Sequence, residues 1–135
     1  MKKVSLIILG LVCVTAVIAQ TLASNESPVN PLRTAAFAWT QTTFDFGKIK
    51  VNAPVTHEFK FTNSGDAPLI ITSVQASCGC TVAEYSKDPI PSGAQGFVKA
   101  TYNAAKVGVF AKTVTINSNT EDGVVLLTIK GEVVN

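Results

Sequence analysis

Two cysteines placed two residues apart, in the stretch Ser77-Cys78-Gly79-Cys80-Thr81, are the side chains best suited to chemistry in this chain. In an extended strand such residues face the same side, with Cα atoms ~6.6–6.8 Å apart. That is the upper limit of what a disulfide spans, roughly 4.4–6.8 Å. Gly79 can relax the spacing by taking a turn or bulge conformation that other residues avoid. A bridge here is expected to be strained, and strained bridges are easily reduced. Three readings follow. In the structural one, Cys78 and Cys80 close a tight loop at a strand end, as a bridge or as two buried thiols. In the second they bind a soft metal: paired thiolates favour Cu(I), which accepts two ligands, whereas structural zinc needs four. In the third they carry out thiol–disulfide exchange.

His57 is the remaining good metal ligand, so zinc would need carboxylates or a second molecule. If the strands flanking Asn63–Pro68 pair as a hairpin, His57 lies opposite about Ser73 to Gln75. It then stops three to five residues short of the cysteines, ~10–17 Å along the strand, too far to share a metal. A placement in different sheets removes that estimate. A lone histidine on the apolar side of its strand is best read as a structural residue near the core rim. Other enzyme templates are missing: there is no Gly-x-Ser-x-Gly elbow, phosphate-cradling glycine loop or His-Glu-x-x-His. Glu121 and Asp122 read as a solvated hairpin tip, and Asp45 has no recognisable catalytic partner.

The compartment is written in the first residues. Lys2 and Lys3 precede an uncharged apolar run, Val4 to Ile18, and Val17-x-Ala19 has the small-residue pattern of a cleavage site. This is a secretory signal peptide, with a second candidate cut after Ala23. The run is shorter than the ~20 residues a spanning helix needs, so no membrane span is expected after cleavage. Cys13 lies inside the run behind Val12, too large a residue for a lipoprotein site, and leaves with the peptide. Cleavage lowers Lys+Arg from 11 to 9, against 9 Asp+Glu. A mature chain near neutrality lacks the basic face that nucleic-acid binding needs. An exported chain also meets conditions that favour oxidation of Cys78 and Cys80.

The elements that must position the cysteines are strands. Residues 20–41 read as a linker carrying Ser24-Asn25-Glu26-Ser27-Pro28 and Asn30-Pro31; its sequon at Asn25 is a chance match, and Phe37 and Trp39 can add a short edge strand or lie over the domain's surface. Phe44-Asp45-Phe46-Gly47 gives a strand ending at glycine. Val55 to Thr62 alternates, with Val55, Phe59 and Phe61 on one face. Leu69 to Ala76, Thr81 to Tyr85, Gly96 to Asn103, Phe110 to Asn117 and Val124 to Val134 continue the pattern, separated by turn-rich segments. Strands so spaced, with no convincing helix, describe an all-β antiparallel sandwich in one domain over 42–135.

The order Phe44-Asp45-Phe46-Gly47, Phe59-Lys60-Phe61-Thr62-Asn63-Ser64-Gly65, Ile71-Thr72-Ser73-Val74, Ser77-Cys78-Gly79-Cys80-Thr81 and Lys112-Thr113-Val114 resembles the bacterial domain of unknown function 1573 family (DUF1573), related to Hydin-type and PapD-like immunoglobulin-like domains. The resemblance covers roughly Thr42 to Val134. It implies an immunoglobulin-like sandwich of seven to eight strands in an exported bacterial protein, and no particular activity. The reading is therefore a non-enzymatic binding or assembly module of the cell envelope, with Cys78-Gly79-Cys80 mainly structural and no cofactor. Its partner would be an envelope or other extracytoplasmic protein, met in the periplasm, at the outer surface or after secretion. The rival is a small copper-binding or thiol-redox protein using Cys78 and Cys80.

Overall fold

The computed structural model describes residues 33–135. The expected signal peptide (1–19), Cys13, both cleavage points, the Asn25 sequon and most of the expected linker lie outside the described residues. Within them the chain forms eight strands: β1 (Phe37–Trp39), β2 (Thr43–Lys50), β3 (Val55–Asn63), β4 (Ile71–Ala76), β5 (Thr81–Tyr85), β6 (Gln95–Tyr102), β7 (Gly108–Ser118) and β8 (Val124–Val134). No helix occurs among the described residues, and so none long and apolar enough to cross a membrane.

The strands build two four-stranded sheets, ordered β1-β3-β6-β5 and β2-β8-β7-β4. Period-two alternation turns one face of each sheet toward the other. Phe59 and Phe61 of β3 and Val98 and Ala100 of β6 fill the core from one side. Val114 and Ile116 of β7 meet them from the other, with Leu127, Ile129 and Val133 of β8. Each of these side chains larger than alanine contributes roughly 1.5–3 kcal/mol by leaving water. The fold is the expected immunoglobulin-like sandwich.

Three expectations need correction. The strands flanking Asn63–Pro68 are not a hairpin: β3 pairs with β6 and, at its end, with β1, whereas β4 pairs with β7. The chain changes sheets there, and Asn63 is the reason. Its buried amide accepts from the Ala36 and Gly65 N–H groups (3.3 and 3.0 Å) and donates to the Ala67 and Ile90 carbonyls (2.7 and 2.9 Å). These bonds turn the backbone out of β3. Gly65 follows because a Cβ there would fall on the Thr34 carbonyl and stand 2.7 Å from the Ala36 nitrogen.

The second correction is that the sheets are not purely antiparallel. β2 runs parallel to β8, from Thr43 beside Thr128 to Lys50 beside Val134. It does not end at Gly47 but passes it through an irregularity between Asp45 and Lys48, where Asp45 Oδ1 accepts from the Gly47 N–H at 2.8 Å. The third concerns the boundary at 42: the buried Ala35 and β1, the short edge strand that Phe37 and Trp39 offered, fall inside 20–41, and β1 joins the sheet beside Phe61–Asn63. Stacking of Phe37 on Trp39, both against Phe61, supplies the apolar contact that holds so short a strand.

Candidate functional site

The Cys-Gly-Cys stretch is the chain's passage from the edge of one sheet to the edge of the other. β4 ends at Ala76, paired with Val114. Beyond it Ser77 N–H donates to Thr113 O at 2.9 Å, and Thr113 N–H to Ser77 Oγ at 3.2 Å. β5 begins at Thr81, beside Tyr102 of β6. Within the turn Thr81 N–H donates to Cys78 O (3.3 Å), and Asn103 N–H donates to Cys80 O (3.0 Å). Both flanks are thus held by main-chain bonds to neighbouring strands.

Cys78 and Cys80 are joined as a disulfide, with Cα atoms 5.3 Å apart. The backbone has contracted from the extended spacing to well inside the range a bridge accepts, so the strain expected of an extended pair is not imposed. Gly79 is exposed, and nothing lies within 4 Å of where a Cβ would stand. Cys80 packs against the core. Thr81 is buried (5% exposed), and its hydroxyl faces both sulfurs, 3.8 Å from Cys78 Sγ and 4.0 Å from Cys80 Sγ. Continuing the β4–β7 register brings Cys78 into the row of Lys112, which shares the alternation of the buried Phe110, Val114 and Ile116. Thr81 stands in a recognisable motif, but only the change of sheet shows that its hydroxyl belongs to this site.

His57 does not belong to it. The register runs from His57 across Ala100 to Ala83. Cys80 is therefore two strands across and three residues along, ~14 Å away in the sheet. The ring of His57 stacks on Phe44 of the opposite sheet (centroids 3.7 Å apart, planes 7°) and meets Phe59 edge-on at 4.7 Å. Gln41 Nε2 donates to its Nε2 at 2.8 Å, which requires the neutral ring with its proton on Nδ1. Desolvation lowers its pKa from the ordinary 6.5, against the opposing pull of the Glu58 carboxylate. It is an inter-sheet packing residue.

Cys78 and Cys80 are left as the soft-metal donors, and while bridged neither sulfur is a thiolate. Among the described residues no three or more His, Cys, Asp or Glu converge to hold a metal ion. Asp45 supports the β2 irregularity, and Glu121 and Asp122 are exposed in the β7–β8 turn.

A family model described as "Protein of unknown function (DUF1573)" matches residues 37–133. No curated protein matches the chain. Among solved structures, a protein of unknown function from Porphyromonas gingivalis W83 superposes with a TM-score of 0.66 at 18% identity, over 74% of this chain. The match takes up 47% of that protein, so the chain spans about half its length. The ASH / PapD-like domain 7 of human CEP192 gives a TM-score of 0.63 at 7% identity, covering 76% of this chain and 87% of that one. The secreted serine protease VesC from Vibrio cholerae gives 0.54 at 18% identity, covering 76% and 23%. Likenesses at these identities concern the fold alone.

Proposed function

Because the chain belongs to the DUF1573 family, an immunoglobulin-like fold with no assigned activity, we propose that it is an exported, non-enzymatic binding or assembly module of the bacterial envelope. In this reading it takes an extended segment of an extracytoplasmic protein onto the open edge of β5. The observation that carries the reading is the contrast among the four sheet edges. β1 is only three residues long. β2 is broken between Asp45 and Lys48 and carries Lys48 and Lys50, features that blunt an edge. β4 has a register shift between Ile71 and Ser73. β5 is the one edge longer than three residues that pairs without interruption, from Thr81 to Tyr85, and it contains no lysine or proline. Its Val82 is 62% exposed, a side chain available to a strand added alongside.

Export is supported by Lys2, Lys3 and the apolar run to Ile18, and the Cys78–Cys80 bridge suits an oxidising compartment. The test is site-specific photo-crosslinking in the native host, with the probe at Val82 and, as control, at the exposed Val109 on the far sheet. The reading expects one discrete adduct from the Val82 position, abolished by a second change, Glu84→Lys, that charges the edge. Identical adducts from both positions, or none from Val82, defeat it. Intact mass of the exported protein, beginning at Gln20 or Ser24, checks the export half.

A further inference from the structure

We infer that the Cys78–Cys80 bridge is an exchangeable disulfide that accepts two electrons from a dithiol, with Thr81 as the hydroxyl that stabilises the thiolate released. The inference goes beyond the docking role and does not depend on it.

Four observations converge. The bridge closes a loop between residues only two apart, where the entropic gain of a cross-link is least. The turn is already fixed by the bonds of Ser77 to Thr113 and of Cys80 to Asn103, so opening the bridge leaves both strand ends anchored. Approach is open over the exposed Gly79; both cysteines are partly buried, and of the two Cys80 is the one packed on the core, which leaves Cys78 the less enclosed by core side chains. The fourth is Thr81. A buried hydroxyl ordinarily bonds an oxygen, yet among the described residues this one faces only two sulfurs. Bridged sulfur is a poor acceptor; a thiolate is a strong one. The hydroxyl is therefore better satisfied after reduction than before it, which favours the step chemically.

The exchange balances as follows. A thiolate of the incoming dithiol attacks Cys78 Sγ, the Cys78–Cys80 bond breaks, and Cys80 leaves as a thiolate beside the Thr81 hydroxyl. The second thiol of the dithiol, deprotonated, attacks the mixed disulfide and releases Cys78 as a thiolate. The partner is oxidised to a disulfide, the bridge is reduced by two electrons, and the two protons lost by the dithiol return to the cysteines or to solvent.

The test uses purified, oxidised mature protein in buffers of graded reduced-to-oxidised glutathione, quenched by alkylation and weighed intact. The wild-type pair is expected to pass from disulfide to dithiol within the series. Thr81→Val, which keeps the buried shape, is expected to shift the equilibrium roughly tenfold toward the disulfide, the loss of one hydrogen bond to a charged group. It should also raise the pH at which the Cys80 thiol is alkylated, and Thr81→Ser should restore both. Independently of how Thr81→Val folds, single substitutions report the attacked sulfur: Cys80→Ser, which leaves Cys78 free, should form the glutathione adduct at least tenfold faster than Cys78→Ser. A bridge that stays closed across the whole series, equal adduct rates, or a Thr81→Val protein with unshifted equilibrium and thiol pKa overturns the inference. Val82→Lys, which disables the proposed docking edge, should leave every one of these readouts unchanged, so failure of either idea is visible without the other.

Discussion

Replacing both cysteines, Cys78→Ser with Cys80→Ser, measures how much of the fold the bridge carries. The cross-link joins residues two apart and so closes a loop of three. Loop-closure entropy for three residues is worth about 1.6 kcal/mol at 25 °C, against about 3 kcal/mol for a fifteen-residue loop. That sum acts through the unfolded chain; the folded turn keeps its bonds from Ser77 to Thr113 and from Cys80 to Asn103. A serine hydroxyl at Cys80, against the core, costs roughly 1 kcal/mol more. The total stays below about 3 kcal/mol, a fall in Tm of roughly 10–20 °C for a domain of this size. Urea unfolding of the oxidised wild type and the double variant gives the difference directly, with an unchanged slope expected because the same surface is exposed. A loss above about 4 kcal/mol, or failure to fold, would refute the reasoning: the bridge, and not the main-chain bonds, would then hold the crossing.

Asn63→Ala should cost more than the double cysteine variant, about 4 kcal/mol, since the four backbone groups its amide satisfies are left unpaired at about 1 kcal/mol each; a loss under about 1.5 kcal/mol by denaturant titration would show that water takes over those bonds. Gly96→Ala would drive a methyl group against the buried Phe61 ring and to 2.8 Å from Ile90 Cδ1, so overpacking should remove about 1–3 kcal/mol, and an unchanged urea midpoint would contradict the packing. His57 gives a pH dependence. Its pKa in the fold lies below the ordinary 6.5, so the unfolded chain binds the proton more tightly. Its contribution is complete above about pH 6.5 and is lost as pH falls from there through the lowered folded value. His57→Gln should remove that acid-side decline from the pH profile of Tm; a variant with the same profile would place the titration elsewhere.

Much of the strand pattern could be read locally, because alternation is a local property. Val55 to Thr62 alternates cleanly, and the structure sets Phe59 and Phe61 in the core; Val124 to Val134 is a strand with those limits. Pairing is not local, and there the sequence falls short. The turn-like composition of Asn63–Pro68 suits a hairpin and a change of sheet equally well, and the choice is made by Asn63 bonding to Ala36 and Ile90, each 27 residues away. The alternation of Phe37 and Trp39 suits an edge strand or a segment lying over the surface, and the choice is made only when Phe61 is set beside them. The cysteines were legible as a pair but not as a bridge, since their strand spacing sits at the limit and only the contracted turn brings the Cα atoms to 5.3 Å. Thr81 was hidden for a related reason: which side of β5 faces inward is fixed only by where the chain crosses.

The parallel pairing of β2 with β8 has a consequence for the order in which the molecule can be completed. β8 is the last strand of the described domain, and it lies between β2 and β7 as the shared neighbour of both. A chain delivered N-terminus first through a membrane channel presents β2 early, yet Thr43 must wait for Thr128 before its ladder can close. Until those residues emerge, the second sheet is split into an orphan strand and the β4–β7 pair, and the core lacks Leu127, Ile129 and Val133 of β8. Such distant pairings are slow to form and leave apolar edges open meanwhile. In the exported chain proposed above, the pairing that closes the second sheet is thus the last to become available.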